Sequence, residues 1–413
     1  MDIRVAIIGA GPAGMTVAGM LADAGVHARV YEHMERPGRK LGITGKGRCN
    51  VTNNSTVEEV IANIPTNPRF LYGALHSFTP DDTMQLFERL GVPLKTERGN
   101  RVFPQSDKAR DIVDALCKYM RTKPINESVK EITHDGNQFT VKTNKSSQNY
   151  DRVVIATGGA SYPRTGSTGD GYKFAKALGH TVTSLTPSLI PLETAGKTAQ
   201  RMMGLSLRNV GVTVRQMPSG KAVYTDFGEM MFTHFGITGP VVLSASSHMR
   251  DVVPGKWRFE IDLKPALDRE KLDKRLLSDF EKYRNRDFAN SLGDLLPSGM
   301  IEVFIEKCGI PPHKKVNSIT REERSRILDT FKCFALDVTG TRPISEAIIT
   351  SGGVSTKEIT PKTMESKIVP GLYFAGEVID VDAYTGGFNL QIAFSTAVCA
   401  ARGIINSIQE DSQ

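Results

Sequence analysis

Tryptophan is nearly missing from this chain of 413 residues: Trp257 stands alone, and aromatic residues make up only 7% of the whole. A surface that reads nucleic acid by stacking needs aromatics interleaved with basic residues, and no stretch shows that pattern. The five cysteines (Cys49, Cys117, Cys308, Cys333 and Cys399) are odd in number, widely spaced and without a CxxC pair. That excludes a disulfide framework and a cysteine-rich zinc site, so no metal is expected. It also fits a reducing compartment, which makes the cytoplasm the expected location. No uninterrupted apolar run reaches the roughly 20 residues that a membrane-spanning helix requires. The apolar start from Val5 to Leu21 has the length of a secretion signal. Its glycines and Pro12 follow phosphate-loop spacing instead, and no small-residue cleavage site stands clear of them.

Charge of one sign is also scarce. Lys and Arg number 52 against 45 Asp and Glu, a net +7 spread along the chain. Only Arg321, Arg324 and Arg326 form a basic stretch, which Glu322 and Glu323 dilute. Such a balance reads as a solvated surface. A small molecule, rather than nucleic acid or a membrane, is therefore the expected partner, and the oligomeric state is left open. The length predicts two or three domains.

What is present concentrates at the two ends. Arg4 to Gly9 is an apolar, β-branched run that suits a strand buried on both faces. Gly9, Gly11 and Gly14 follow at GxGxxG spacing, with Pro12 and Ala13 opening a helix. Gly9 permits the tight turn, Gly11 lets phosphate oxygens approach the backbone, and Gly14 lets helix and strand touch. Ala28 to Glu32 is the next strand and ends in an acid, where a carboxylate takes the ribose hydroxyls of an adenosine. The segment that follows carries Arg39, Lys40, Gly42, Gly45, Gly47, Arg48, Cys49, Asn50 and Thr52, and reads as a loop offering N–H groups and cations to phosphates or an electron-rich ring.

Helical patterns follow from Thr79 to Leu90 and from Ala109 to Met120. A buried strand from Arg152 then runs into Thr157 and Gly158, and a turn-rich loop leads to Asp170, predicted to cap a helix from Tyr172 to Leu178. From about Leu205 to Leu263 the pattern is short alternating strands with turn signals at Pro218-Ser219-Gly220 and Pro254-Gly255. Near the far end, Leu372 to Ala375 reads as another buried strand, followed by Gly376 and Glu377, and Gly387, Phe388 and Asn389 open a last helix. A dinucleotide domain that begins at residue 1 and closes only near residue 400 is the layout of FAD enzymes. Glu377 would accept a hydrogen bond from the ribityl chain, and the last helix would direct its N-terminus at the flavin.

The expected fold class is therefore α/β: a two-ended, discontinuous Rossmann-like FAD-binding domain over 1–190 and 342–413. A β-barrel-like domain is inserted at 191–264 and a helical subdomain at 265–341. The cofactor-binding set is Gly9, Gly11, Pro12, Ala13, Gly14, Glu32, Arg39, Lys40, Gly47, Arg48, Cys49, Asn50, Thr157, Gly158, Gly376, Glu377, Gly387, Phe388 and Asn389. His234, between glycine turns, and Tyr384 are the candidates for proton delivery. Cys49 beside Arg48 reads as a buried structural thiol in preference to a redox thiol.

The motifs Gly38-Arg39-Lys40-Leu41, Gly47 to Asn53, Phe232 to Pro240, Thr350 to Val354 and Gly371 to Gln391 resemble those of the YhiN/BaiN-like flavoproteins across essentially the whole chain. These are NAD(P)/FAD-dependent oxidoreductases, a group that includes aminoacetone oxidase relatives. Gly42 stands where that family usually has an aliphatic residue, and Lys46 where it usually has glycine. The resemblance implies an FAD-dependent oxidoreductase acting on a small organic molecule, with NADH or NADPH as a transient electron donor. An amine or ketone oxidase using oxygen, an FAD-containing RNA-modifying or nucleic-acid-binding protein, and a non-catalytic redox sensor are the alternatives.

Overall fold

The computed structural model describes residues 3–410, which form two compact units: residues 3–188 with 343–410, and residues 189–342. In the first, Val5–Ile8 is buried along its whole length. Burying each of Val5, Ile7 and Ile8 contributes about 1.5–3 kcal/mol relative to exposure. That demand places it at the centre of a five-stranded parallel sheet, in the order Leu372–Phe374, Arg152–Ile155, Val5–Ile8, Ala28–Glu32, Ile125–Asn126. The chain's last strand pairs with Arg152–Ile155, through Val153↔Leu372, Val154↔Tyr373 and Ile155↔Phe374, so the domain closes only when its far end arrives. Helix Pro12–Asp23 follows the central strand with Pro at its first turn.

Among the described residues one helix, Phe388–Glu410, is long and apolar enough to cross a membrane by length and composition. Its uninterrupted apolar runs stay short, as expected, because Gln391, Ser395, Thr396 and Arg402 interrupt them. In the fold, 78% of its most apolar window is buried, with Ser395 bonded to the Phe78 carbonyl and Thr396 to those of Ile392 and Ala393.

The segment expected to be a loop after Gly38 is a helix, Arg39–Gly47, broken at Thr44. Gly45, Lys46 and Gly47 all take left-handed backbone conformations, with φ of 57°, 60° and 83°. Lys46 is a non-glycine residue held in a strained region between two glycines that adopt it freely. Asp170 also differs from expectation: it lies inside helix Asp170–Ala177, whose N-cap is Gly169. Its carboxylate instead takes Thr168 Oγ1 and Lys173 Nζ.

The second unit is a closed six-stranded barrel in the order Leu192–Thr194, Gly236–Thr238, Lys221–Phe232, Ser206–Gln216, Trp257–Asp262, Phe334–Thr341, with the last strand pairing back to the first. The closing strand lies inside the 265–341 span expected to be helical. The helices Arg269–Lys282, Ser298–Cys308 and Arg321–Lys332 are thus an excursion between two barrel strands. Phe304, Phe331 and Phe334 share one apolar core with the barrel's Phe259 and Ile261, so the unit does not divide at residue 264. The alternating burial of Phe334, Leu336 and Val338 carries a strand signal that the charged helices before it obscure.

Candidate active site

A cavity of ≈ 1300 Å³, counting the space at its open mouth, lies in the first unit outside the carboxyl ends of the parallel strands. Its lining runs from Glu32 and His33 past the Gly9–Ala13 turn to Glu377 and Asn389, and the space outside the strands' carboxyl ends is where open α/β sheets bind ligands. Gly9 turns the chain at φ +106°, where a Cβ would meet the Ala156 carbonyl at 2.5 Å, and its N–H bonds Tyr31 O at 2.8 Å. Gly11 has open space where a side chain would stand, and it lines the cavity. The helix starting there has no side-chain cap hydrogen bond, which leaves its first-turn N–H groups without a side-chain acceptor and suits them to an anion.

Glu32 Oε2 accepts the Ala10 N–H at 3.0 Å and Oε1 accepts that of Met34 at 2.8 Å. The acid therefore braces the phosphate turn and keeps lone pairs free for ligand hydroxyls. Lys40 Nζ meets Glu377 at 2.8 and 3.1 Å, and Ser161 Oγ at 2.7 Å. Asn389 clamps the turn before the last helix, accepting from Ala383 N–H and donating to the Ala383 carbonyl.

Of the residues singled out from the sequence, Gly9, Gly11, Pro12, Ala13, Glu32, Arg39, Lys40, Thr157, Gly158, Gly376, Glu377 and Asn389 line this cavity. The others lie elsewhere, each for a definable reason. Gly14 serves the helix–strand contact, since a Cβ there would sit 2.0 Å from Gly9 O. Gly387 presses on the Thr52 carbonyl, where a Cβ would come to 2.3 Å, and Phe388 is buried in the core. Gly47 forms the left-handed turn described above. Arg48 is spent on Glu97 and Asp107 and lies over the Phe103 ring at 4.2 Å, so its charge is not offered to a phosphate. Asn50 has a buried Oδ1 with no hydrogen-bond partner among the described residues.

Cys49 is fully buried, and desolvation pushes its thiol up to about 12, against a weak opposing hydrogen bond from Thr44. The native thiol stays protonated where the unfolded one ionises, so its contribution to stability is intact below about pH 9 and is lost as pH rises toward about 12. Native protein treated with iodoacetamide at about pH 8 is expected to leave Cys49 unmodified by mass spectrometry, because the thiolate is the nucleophile. Rapid labelling would refute its burial.

His234 is exposed in the barrel unit, in a turn closed by Thr233 N–H to Gly236 O, with its ring edge-on to Phe235 at 5.0 Å. Tyr384 packs against the core of the first unit and its backbone N–H bonds Asn63 O, outside the cavity lining. The sequence reading missed His33, Arg36, Glu127 and Ser128, which line the cavity beyond Glu32. No motif marks them. It also missed Gly159, where a Cβ would stand 2.6 Å from Glu377 Oε1. The Gly158-Gly159 pair was the available signal.

The family model described as the HI0933-like protein Rossmann domain matches residues 3–403. The chain belongs to this family. Membership makes it an oxidoreductase of the YhiN/BaiN-like flavoprotein group, as its motifs resembled. It is 32% identical over 403 residues to the ribosomal RNA dihydrouridine synthase of Escherichia coli (strain K12), covering 97% of each chain. A protein of the same description from Haemophilus influenzae is also 32% identical over 407 residues, with 96% of this chain and 97% of that one covered. The 3-dehydro-bile acid delta(4,6)-reductase of Clostridium scindens is 27% identical over 407 residues, with 97% of this chain and 98% of that one covered.

The residues present fit a flavin dinucleotide. The turn at Gly11 is open where a pyrophosphate must approach, and Glu32 and Glu377 put acceptors at two separate parts of one long cavity.

Proposed function

We propose that the protein is an FAD-dependent reductase that uses NADH or NADPH to saturate a C=C bond conjugated with a carbonyl. The observation that carries this reading is the long cavity with an open Gly11 turn at its floor and a carboxylate on either side of it. When bound, FAD supplies a two-electron carrier that accepts from one substrate and gives to another. Gly11 and the uncapped helix receive the pyrophosphate, with Arg39 lining the cavity nearby. Glu32 takes ribose hydroxyls and Glu377 a hydroxyl of the ribityl chain. In the net reaction one hydride and one proton add across the double bond, and the reduced nicotinamide leaves oxidised. His234 and Tyr384 stand as candidates for the proton.

The relatives' names support this bond class. One acts on a bile acid at its delta(4,6) unsaturation, and the others make dihydrouridine, which is uridine saturated across its ring double bond. The test is an anaerobic titration of the purified protein with each nicotinamide while the visible flavin absorbance is followed. Bleaching is expected with one donor. No bleaching with either, together with oxygen consumption on amines or ketones, would replace this reading with an oxidase.

A second reading assigns uridine in RNA as the substrate. Residues 189–342 hold 24 Lys and Arg against 19 Asp and Glu, so this unit carries +5 of the net +7. That surplus favours a polyanion. Dihydrouridine appearing in RNA incubated with protein and reduced nicotinamide would support it, and its absence would exclude it.

A further inference from the structure

We propose that Lys40 is a positioning residue that aims the Glu377 carboxylate into the cavity, and that it does not contact the phosphates of the cofactor. The proposal rests on the FAD reading in one respect, that the hydroxyl received by Glu377 belongs to the flavin nucleotide. An ammonium has three donors. Those of Lys40 have three acceptors already: Ser161 Oγ at 2.7 Å, Glu377 Oε2 at 2.8 Å and Glu377 Oε1 at 3.1 Å. None is left for a phosphate oxygen.

The carboxylate is held just as fully, but on one side only. Oε1 accepts from Lys40, from Ser161 Oγ at 3.1 Å and from the Thr350 N–H at 3.0 Å. Among the described residues Oε2 accepts from Lys40 alone, so a lone pair of that oxygen stays open while Glu377 lines the cavity. Turning the carboxylate breaks bonds to three other segments at once. Gly159 makes the arrangement possible, because any Cβ there would press on Glu377 Oε1 at 2.6 Å and Thr350 Oγ1 at 2.5 Å. Lys40 and Glu377 are mostly buried, with side chains 20% and 13% exposed, and their charges cancel. Drawing Lys40 to a phosphate would leave Glu377 uncompensated in the same cavity, a costly arrangement for a half-dry carboxylate.

The experiment is a double-mutant cycle in the full chain with Lys40→Met and Glu377→Gln. It is read by titration with FAD, by titration with riboflavin (which has no phosphate), and by the visible absorption band of the bound flavin. Each single variant is expected to lower FAD affinity about tenfold, the size of one hydrogen bond to a charged group. The double variant is expected to lose no more than the weaker-binding single. Lys40→Met should weaken riboflavin and FAD by the same factor, and the flavin band should shift alike in both singles and no further in the double. Losses that multiply to about a hundredfold, or a Lys40→Met loss confined to FAD, would overturn the proposal. Should Lys40→Met fail to fold, Ser161→Ala enters the same cycle, and its loss is expected to vanish in the Glu377→Gln background. A wild-type protein that takes up no FAD refutes the function reading and this proposal together. Multiplying losses in a protein that does bind FAD refute this proposal alone.

Discussion

Glu32→Ala is expected to lower FAD affinity by roughly 10–150-fold, the equivalent of about 1.5–3 kcal/mol for a hydrogen bond to a charged group. Two effects act together. The ribose loses its carboxylate, and the N–H groups of Ala10 and Met34 lose the acceptor that braces the phosphate turn. The second effect acts on the apoprotein as well, so its melting temperature should fall with FAD absent. Glu32→Gln keeps one acceptor oxygen and should lose less in both measurements. Titration by flavin fluorescence decides the matter. Unchanged retention of FAD by Glu32→Ala would mean that the nucleotide lies elsewhere.

Gly14→Ala should be strongly destabilising, by about 3 kcal/mol or more. Its Cβ would stand 2.0 Å from Gly9 O and 3.1 Å from Gly9 C, both backbone atoms that cannot swing aside as a side chain would. A fall of about 6–12 °C in melting temperature is expected for a domain of this size. Gly11→Ala supplies the contrast. Gly11 has φ −82° and nothing within 4 Å of a Cβ, so the fold should tolerate alanine while FAD binding fails. Equal melting losses for the two would show that Gly14 is not a contact point.

These two glycines were read from spacing alone, and the reason is local. A strand, a tight turn and a helix start within ten residues impose backbone demands that only particular residue types meet. The same holds for the buried Val5–Ile8 strand and for the placement of Leu372–Phe374 in the sheet. Arg48 shows the opposite case. Its position among glycines and cations suggested an anion site, yet Asp107, 59 residues further on, and Glu97 claim its charge. Composition reports that a cation is present, and the partner it chooses depends on which strands fold beside it. The loop read between Gly38 and Thr52 became a broken helix for a related reason. In its first turn Leu41 is buried and Lys40 bonds Ser161 and Glu377, partners that no propensity records, while Gly45, Lys46 and Gly47 still break it where the glycine pattern calls for a turn.

Residue order along the chain sets the α/β class, the phosphate turn at Gly9 to Gly14, the acid at Glu32 and the closing of one domain by both chain ends. Each is written in short-range demands of backbone conformation and burial. That Phe334–Thr341 closes the barrel against Leu192–Thr194, and that Lys40 spends its charge on Glu377, 337 residues away, emerges in the folded molecule. Those outcomes depend on which surfaces meet, and a strand edge or an ammonium carries no local mark of its partner.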